Sequence, residues 1–180
     1  AITYFPARYE NGIVTFETSH FSQFGVFASQ AAAFTDVNLD AWYMTEVEFA
    51  MANKFMSGYG DGRFAPDVPL SRAMLAQILY NKESATDVAT ESAYTDVEIG
   101  RWYATACLWA ADKDLMTGVS ETEFAPKANL TVEQLVQTLY NYAQYKGDDV
   151  TVETATDVAT ASDWAKDAMS WAVSLKLVAA

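Results

Sequence analysis

The chain repeats itself, and that limits its fold more than any other property. Phe34-Thr35-Asp36-Val37 returns as Tyr94-Thr95-Asp96-Val97 and again as Ala155-Thr156-Asp157-Val158. Self-similarity at a fixed period marks an array of one small supersecondary unit, in which neighbouring units supply each other's core. The first two copies are 60 residues apart and the third follows 61 later. Each leads to a tryptophan, Trp42, Trp102 and Trp164. Seven residues on stands another large aromatic, Phe49, Trp109 and Trp171, and seven further come Met56, Met116 and Val178. A step of seven returns to the same helix face every two turns. The spacing predicts helices over about 41–56, 101–116 and 163–178, with Trp42, Trp102, Trp164, Phe49, Trp109 and Trp171 as structural core.

The first two repeats continue in parallel. Gly58 and Gly118 are placed to end the first helix in a left-handed conformation. A short loop follows, Tyr59-Gly60-Asp61-Gly62-Arg63-Phe64-Ala65-Pro66 in one copy and Val119 to Pro126 in the other. Ser71 and Thr131 are good N-caps for a second helix. Thr131 with Gln134 reads as a capping box, whereas Ser71 with Met74 does not. The third repeat has no second half in this sequence. Segments 83–93 and 143–155, rich in small and acidic residues, read as linkers with little structure. The first 33 residues differ: Asn11-Gly12 beside the alternating Ile13–Thr18 signals a β-hairpin, and Phe21 to Phe27 suits another strand. Such strands are marginal alone, so they read as the end of an upstream β-domain or as strands completed by another chain, with Ala31-Ala32-Ala33 as linker. The expected division is 1–33, 34–93, 94–154 and 155–180. A start at Ala1 suggests a piece of something longer.

Composition removes several functions. There are 11 Lys+Arg against 24 Asp+Glu, for a net charge of −13. Nucleic acid is bound by cations that displace counterions, so it is an improbable partner, as is an anionic membrane surface. One Cys and one His cannot form a disulfide within the chain or a Cys/His zinc site. No apolar run reaches membrane-spanning length, so membrane insertion is not expected. Asp61 between two glycines lacks the alternating ligands of a calcium loop. No cofactor or metal is expected.

The motifs resemble tandem S-layer homology (SLH) domains. The residues that carry the likeness are Phe34-Thr-Asp-Val, Trp42-Tyr43, Gly58-Tyr-Gly-Asp-Gly-Arg-Phe-Ala-Pro66 and Leu70-Ser-Arg-Ala73, with Tyr94-Thr-Asp-Val, Trp102-Tyr103, Gly118, Phe124-Ala-Pro126 and Leu130-Thr131 in the second copy. The resemblance implies a mainly α fold: helix–loop–helix units in a pseudo-threefold bundle, behind a short N-terminal β-segment. It implies an extracellular, non-catalytic module that holds an exported protein to the cell wall through a secondary cell-wall polysaccharide, often pyruvylated. It also implies a site. The family's Thr-Arg-Ala-Glu motif maps Arg72 and the caps Ser71 and Thr131 toward a ligand carboxylate. The glycine-bearing loop maps Gly58, Tyr59, Gly60, Asp61, Arg63 and Gly118 as a groove wall.

That assignment is physically sound at Arg72, where a planar guanidinium and helix-start N–H groups would converge on an anion. The second repeat departs from the motif, with Val132 for Arg72 and Glu123 for Arg63, and the first has Met74 in place of Glu. Lys127, Lys113, Arg101 and Lys54 are alternative cations. Three readings follow: a wall anchor; a structural subunit of a surface layer or filament with weak or lost glycan binding, self-associating through the N-terminal strands; and, distantly, a glycosidase. Asp36, Asp96 and Asp157 are expected to satisfy local backbone donors. Cys107 is expected in the core. His20 has no nucleophilic partner in any recognisable motif.

Overall fold

The structure, a computed structural model, describes residues 7–11, 13–19, 29–152, 158 and 160–179. It is mainly helical with one short hairpin, and it divides into two compact units, 1–68 and 69–180.

In the first unit, β1 (Ala7–Glu10) and β2 (Ile13–Phe16) pair antiparallel, with Tyr9 opposite Val14 and Glu10 opposite Ile13. Asn11 takes a φ of 51° in the two-residue turn, the conformation that Asn-Gly favours. Among the described residues the pairing runs from Ala7 opposite Phe16 to Glu10 opposite Ile13. The expected strand at Phe21–Phe27 lies outside the described residues, as do His20 and Asp157. Helix α1 (Met44–Ala52) packs over Ala31, Val37 and Phe64 through Val47, with Phe34, Tyr43, Met51 and Met56 around them. Ala31–Ala33 form a 3₁₀ turn, not a loose linker. Ala31 is buried, and its N–H donates to the Glu48 carboxylate at 2.9 Å, beside the Gln30 N–H at 3.1 Å.

The second unit holds α2 (Arg72–Lys82), α3 (Ala104–Asp112), α4 (Val132–Lys146) and α5 (Lys166–Ser174), the last preceded by a 3₁₀ turn at Asp163–Ala165. Helix α2 packs on α3, and α4 on α5. The second helix of one repeat therefore pairs with the first helix of the next, so packing is offset from the sequence repeats. Leu75, Ala76 and Leu79 of α2 meet Ala106, Cys107, Trp109 and Ala110 of α3, over Leu115, Met116 and Phe124. Val136 and Ala143 of α4 meet Ala168, Trp171 and Ala172 of α5.

The first helix of each repeat is shorter than its seven-residue spacing implies. Lys54, Asp114 and Lys176 adopt φ of 59°, 55° and 58° just past the helix ends. In each repeat the next N–H reaches back five residues: Phe55 to the Ala50 carbonyl, Leu115 to Ala110 and Leu177 to Ala172, each at 2.9 Å. This is a Schellman closure. It ends each helix four residues before the position of Gly58 and Gly118, so those glycines do not cap the helix.

The tryptophans also depart from expectation. Trp42, Trp102 and Trp164 are 87%, 62% and 56% exposed. They precede the first α-helical turn, so the seven-residue phase does not extend back to them. In the first two repeats the following tyrosine turns inward instead: Tyr103 is 5% exposed, and Tyr43 packs on the first unit's core. Phe49 is 44% exposed, whereas Trp109 and Trp171 are buried. Tyr80 packs edge-on against Trp109, and Tyr140 against Trp171. Phe49 lies edge-on against Phe55.

The linkers carry more structure than their composition suggests. Helix α4 runs through Lys146 and closes at Gly147 with φ 78°, so 143–146 is helix. Val150 and Val152 pack on the α4–α5 core, and Ala85 on the α2–α3 core.

Candidate functional site

The Thr-Asp motif fixes the loop that follows the first helix. In the first unit both Asp36 carboxylate oxygens accept backbone N–H groups, from Phe64 and Ala65, each at 2.8 Å. Asp96 does the same for Phe124 and Ala125, at 2.9 and 2.7 Å. Thr35 donates its N–H to the Gly62 carbonyl at 3.0 Å, and Thr95 to Thr122 at 2.8 Å. The donors lie 28 and 29 residues away, so these aspartates serve a tertiary clasp, not the local turn expected for them. The clasp holds Ala65 and Ala125 at φ of 61° and 56°. The paired N–H groups hold the Asp36 carboxyl below its usual range, chiefly through Phe64.

Gly58 and Gly118 lie beneath this clasp. A Cβ on Gly118 would stand 2.6 Å from the Tyr94 ring and 2.5 Å from the Ser120 carbonyl oxygen, and one on Gly58 would stand 2.6 Å from the Phe34 ring. In the first two repeats the opening aromatic, Phe34 or Tyr94, covers the glycine directly, so close packing requires glycine there.

The loop offers little to an anion. In the first unit Asp61 binds Arg63 through Nε at 2.9 Å and Nη2 at 2.7 Å, both side chains exposed. Tyr59 is exposed beside them, and Gly60 and Gly62 have open space at the Cβ position. The loop of the second repeat carries Glu121 and Glu123 and no cation.

Arg72 is not presented to solvent. It is 6% exposed, donates from Nε to the Phe124 carbonyl at 2.8 Å and from Nη2 to the Thr117 carbonyl at 2.5 Å, and lies 4.8 Å over the Phe124 ring. Burial lowers its pKa. The start of α2 is occupied as well. Arg72 N–H donates to the Ala128 carbonyl at 3.0 Å and Ala73 N–H to Pro126 at 2.9 Å, while Leu130 N–H donates to Leu70 at 2.9 Å. Ser71 bridges to Asn129. The convergence on a carboxylate expected from sequence is thus replaced by a clamp on the loop of the next repeat. Ser71 also caps with Met74, contrary to expectation: Met74 N–H reaches Ser71 Oγ at 3.3 Å, and the Met74 thioether accepts from Ser71 N–H at 3.5 Å. Sulfur, a weak acceptor, stands where a carboxylate or amide is usual. Thr131 and Gln134 form the expected box. The site residues fall into two groups, Gly58 to Arg63 in the first unit and Ser71, Arg72, Gly118 and Thr131 in the second.

An open cleft of about 400 Å³ lies on the second unit, lined by Asp96, Glu98, Tyr103, Pro126 and Lys127 among others. Glu98 is paired with Arg101 at 2.9 Å. Lys127 forms no ion pair among the described residues. Tyr103 packs edge-on against exposed Trp102 at 5.3 Å. The indoles are the polar–apolar surfaces that sequence reading misplaced. In the first two repeats the adjacent Trp-Tyr pair was the signal, since only one of two neighbours at a helix entrance can face the core.

The sequence profile described as "S-layer homology domain" matches residues 33–74 and 93–135. The chain is 25% identical over 172 residues, 93% of its length, to an amylopullulanase of Thermoanaerobacterium thermosulfurigenes. It is 30% identical over 149 residues, 81% of its length, to the surface-layer 125 kDa protein of Lysinibacillus sphaericus. It is 24% identical over 110 residues, 59% of its length, to a cellulosome-anchoring protein of Acetivibrio thermocellus. It spans 9%, 12% and 24% of these proteins' own lengths.

Proposed function

This chain belongs to the S-layer homology family, and from that premise we propose that it fixes an exported protein to the bacterial cell wall by binding a secondary cell-wall polysaccharide, with pyruvylated sugar as the preferred ligand. The observation that carries the binding mode is the solvent-exposed indole at the same position of every repeat, Trp42, Trp102 and Trp164. A broad apolar face beside a polar cleft suits a sugar ring, whose C–H face packs on an aromatic while its hydroxyls bond outward. In the second repeat Lys127 adds the cation that Arg72 does not supply, and an acidic substituent would meet it at the Tyr103 cleft. The module is an anchor, and catalysis is not assigned to it.

Pull-down with purified sacculi tests this reading. We expect retention by intact sacculi and loss after the secondary polysaccharide is stripped. The double variant Trp102→Ala/Lys127→Ala should weaken retention by roughly tenfold or more, given a few kcal/mol of stacking and charge-assisted bonding. Equal retention before and after stripping would defeat the proposal.

A second reading is a structural subunit of a surface layer or filament in which glycan binding is weak. The inward Arg72 and the acidic loop of the second repeat favour it. The sacculus pull-down separates the two, because a chain that only assembles is retained by neither intact nor stripped sacculi. Strand addition to the hairpin at β1–β2 belongs with this reading.

A further inference from the structure

The interface between the first two repeats supplies a template for a contact the chain can make with a second copy of itself. Where α2 begins, the N–H groups of Arg72 and Ala73 donate to the carbonyls of Ala128 and Pro126. Repeat correspondence (Asp36 to Asp96) converts each partner. The donors become Val132 and Glu133 at the start of α4, and the acceptors become Val68 and Pro66. Both halves of this second set are open. Val132 and Glu133 N–H find no acceptor among the described residues, and the Val68 and Pro66 carbonyls accept nothing there. Thr131 and Val132 are exposed, Val132 at 59%, and so is Val68. One chain therefore carries an unused donor edge and an unused acceptor edge of the same interface.

We propose that the start of α4 in one molecule docks on the Phe64–Val68 segment of another, Val132 N–H to Val68 carbonyl and Glu133 N–H to Pro66 carbonyl. The contact is heterologous and propagates head to tail. It continues an interface already built within the chain, and it goes beyond glycan binding and does not depend on it. Position 132 sets its strength. Arg72 clamps the loop in the internal interface, but Val132 cannot, so the docking is weak. Each copy carries a net charge of −13, so added salt screens the repulsion between copies and strengthens association.

Sedimentation and light scattering on the 180-residue chain test this over a range of concentrations. We expect mass to rise with concentration and more steeply at high salt. Val132→Pro removes the N–H donor at the first helical position, where proline is tolerated. Thr131 already has the extended φ −80°, ψ 164° that a following proline demands. This variant should keep its far-UV circular dichroism and stay monomeric. Val132→Arg should restore the clamp, onto the Phe64 and Ser57 carbonyls of the neighbouring copy, and tighten association roughly tenfold or more. A wild-type chain that is monomeric throughout, with Val132→Arg unchanged, overturns the proposal and leaves the α4 start to a repeat elsewhere in a longer polypeptide. Association that survives Val132→Pro also overturns it.

Discussion

At the scale of single residues, a few side chains hold loops that their sequence neighbourhood does not explain. Arg72 is the strongest case. Removing it strands the Phe124 and Thr117 carbonyls and opens space over the Phe124 ring. Arg72→Ala should cost about 2–4 kcal/mol of unfolding free energy by urea melts. The milder Arg72→Met, if folded, should still be retained by sacculi. Loss of retention there, with normal melting, would return Arg72 to the ligand site. The left-handed helix closures make an opposite prediction. Lys54 and Asp114 adopt a conformation that costs a non-glycine residue about 1 kcal/mol or more. Lys54→Gly and Asp114→Gly should therefore raise stability by up to about 1 kcal/mol, after the extra entropy of glycine in the unfolded chain. None of this was legible from residue type. Lysine and aspartate do not announce a left-handed cap, whereas Gly58 and Gly118 do, so the cap was placed four residues late.

At the scale of elements, the repeat gave helix number, order and approximate position, because periodic aromatics and N-caps are local signals. Their partners were not legible. The pairing of α2 with α3 and α4 with α5 depends on which face is left over after each loop is clasped, and that is decided by contacts nearly 30 residues long. The clasp predicts a steric effect. Gly118→Ala must displace the Tyr94 ring and the Ser120 carbonyl, and it should destabilise by about 1–3 kcal/mol in the same melts. The equivalent change at solvent-facing Gly60, where nothing crowds a Cβ but φ is 78°, should show only the smaller backbone cost. Trp102 and Tyr103 show the same limit of sequence reading: both are large and aromatic, and only the point at which the helix begins decides which one is buried.

For the whole molecule, acid should loosen the ties between elements. Glu83, at the end of α2, accepts from the Tyr142 hydroxyl and pairs with Lys146 at 2.9 Å, joining α2 to α4. The Tyr142 hydrogen bond and then the Lys146 ammonium lower its pKa below 4.5. The sign follows from linkage: with the folded pKa below the unfolded one, the stabilisation is present above pH ~4.5 and is lost as pH falls through the lower folded value. Asp36 acts in the same direction. Melting temperature should fall between about pH 5 and pH 2, and Glu83→Gln should flatten that slope. An unchanged slope would remove this pair from the acid response. Cys107, fully buried with its thiol pushed up to about 12, should stay unreactive to thiol reagents until the second unit unfolds. The offset pairing has one more consequence, for how genes of this kind change length. Because every helix pair is supplied by two neighbouring repeats, the joint between pairs falls inside a repeat. An exchange between any two matching positions, such as Tyr43 and Tyr103, removes one repeat length while placing each surviving helix after the kind of segment it already follows. Such an exchange therefore keeps the order of segments but removes α2, which leaves α3 without its partner and uncovers Trp109.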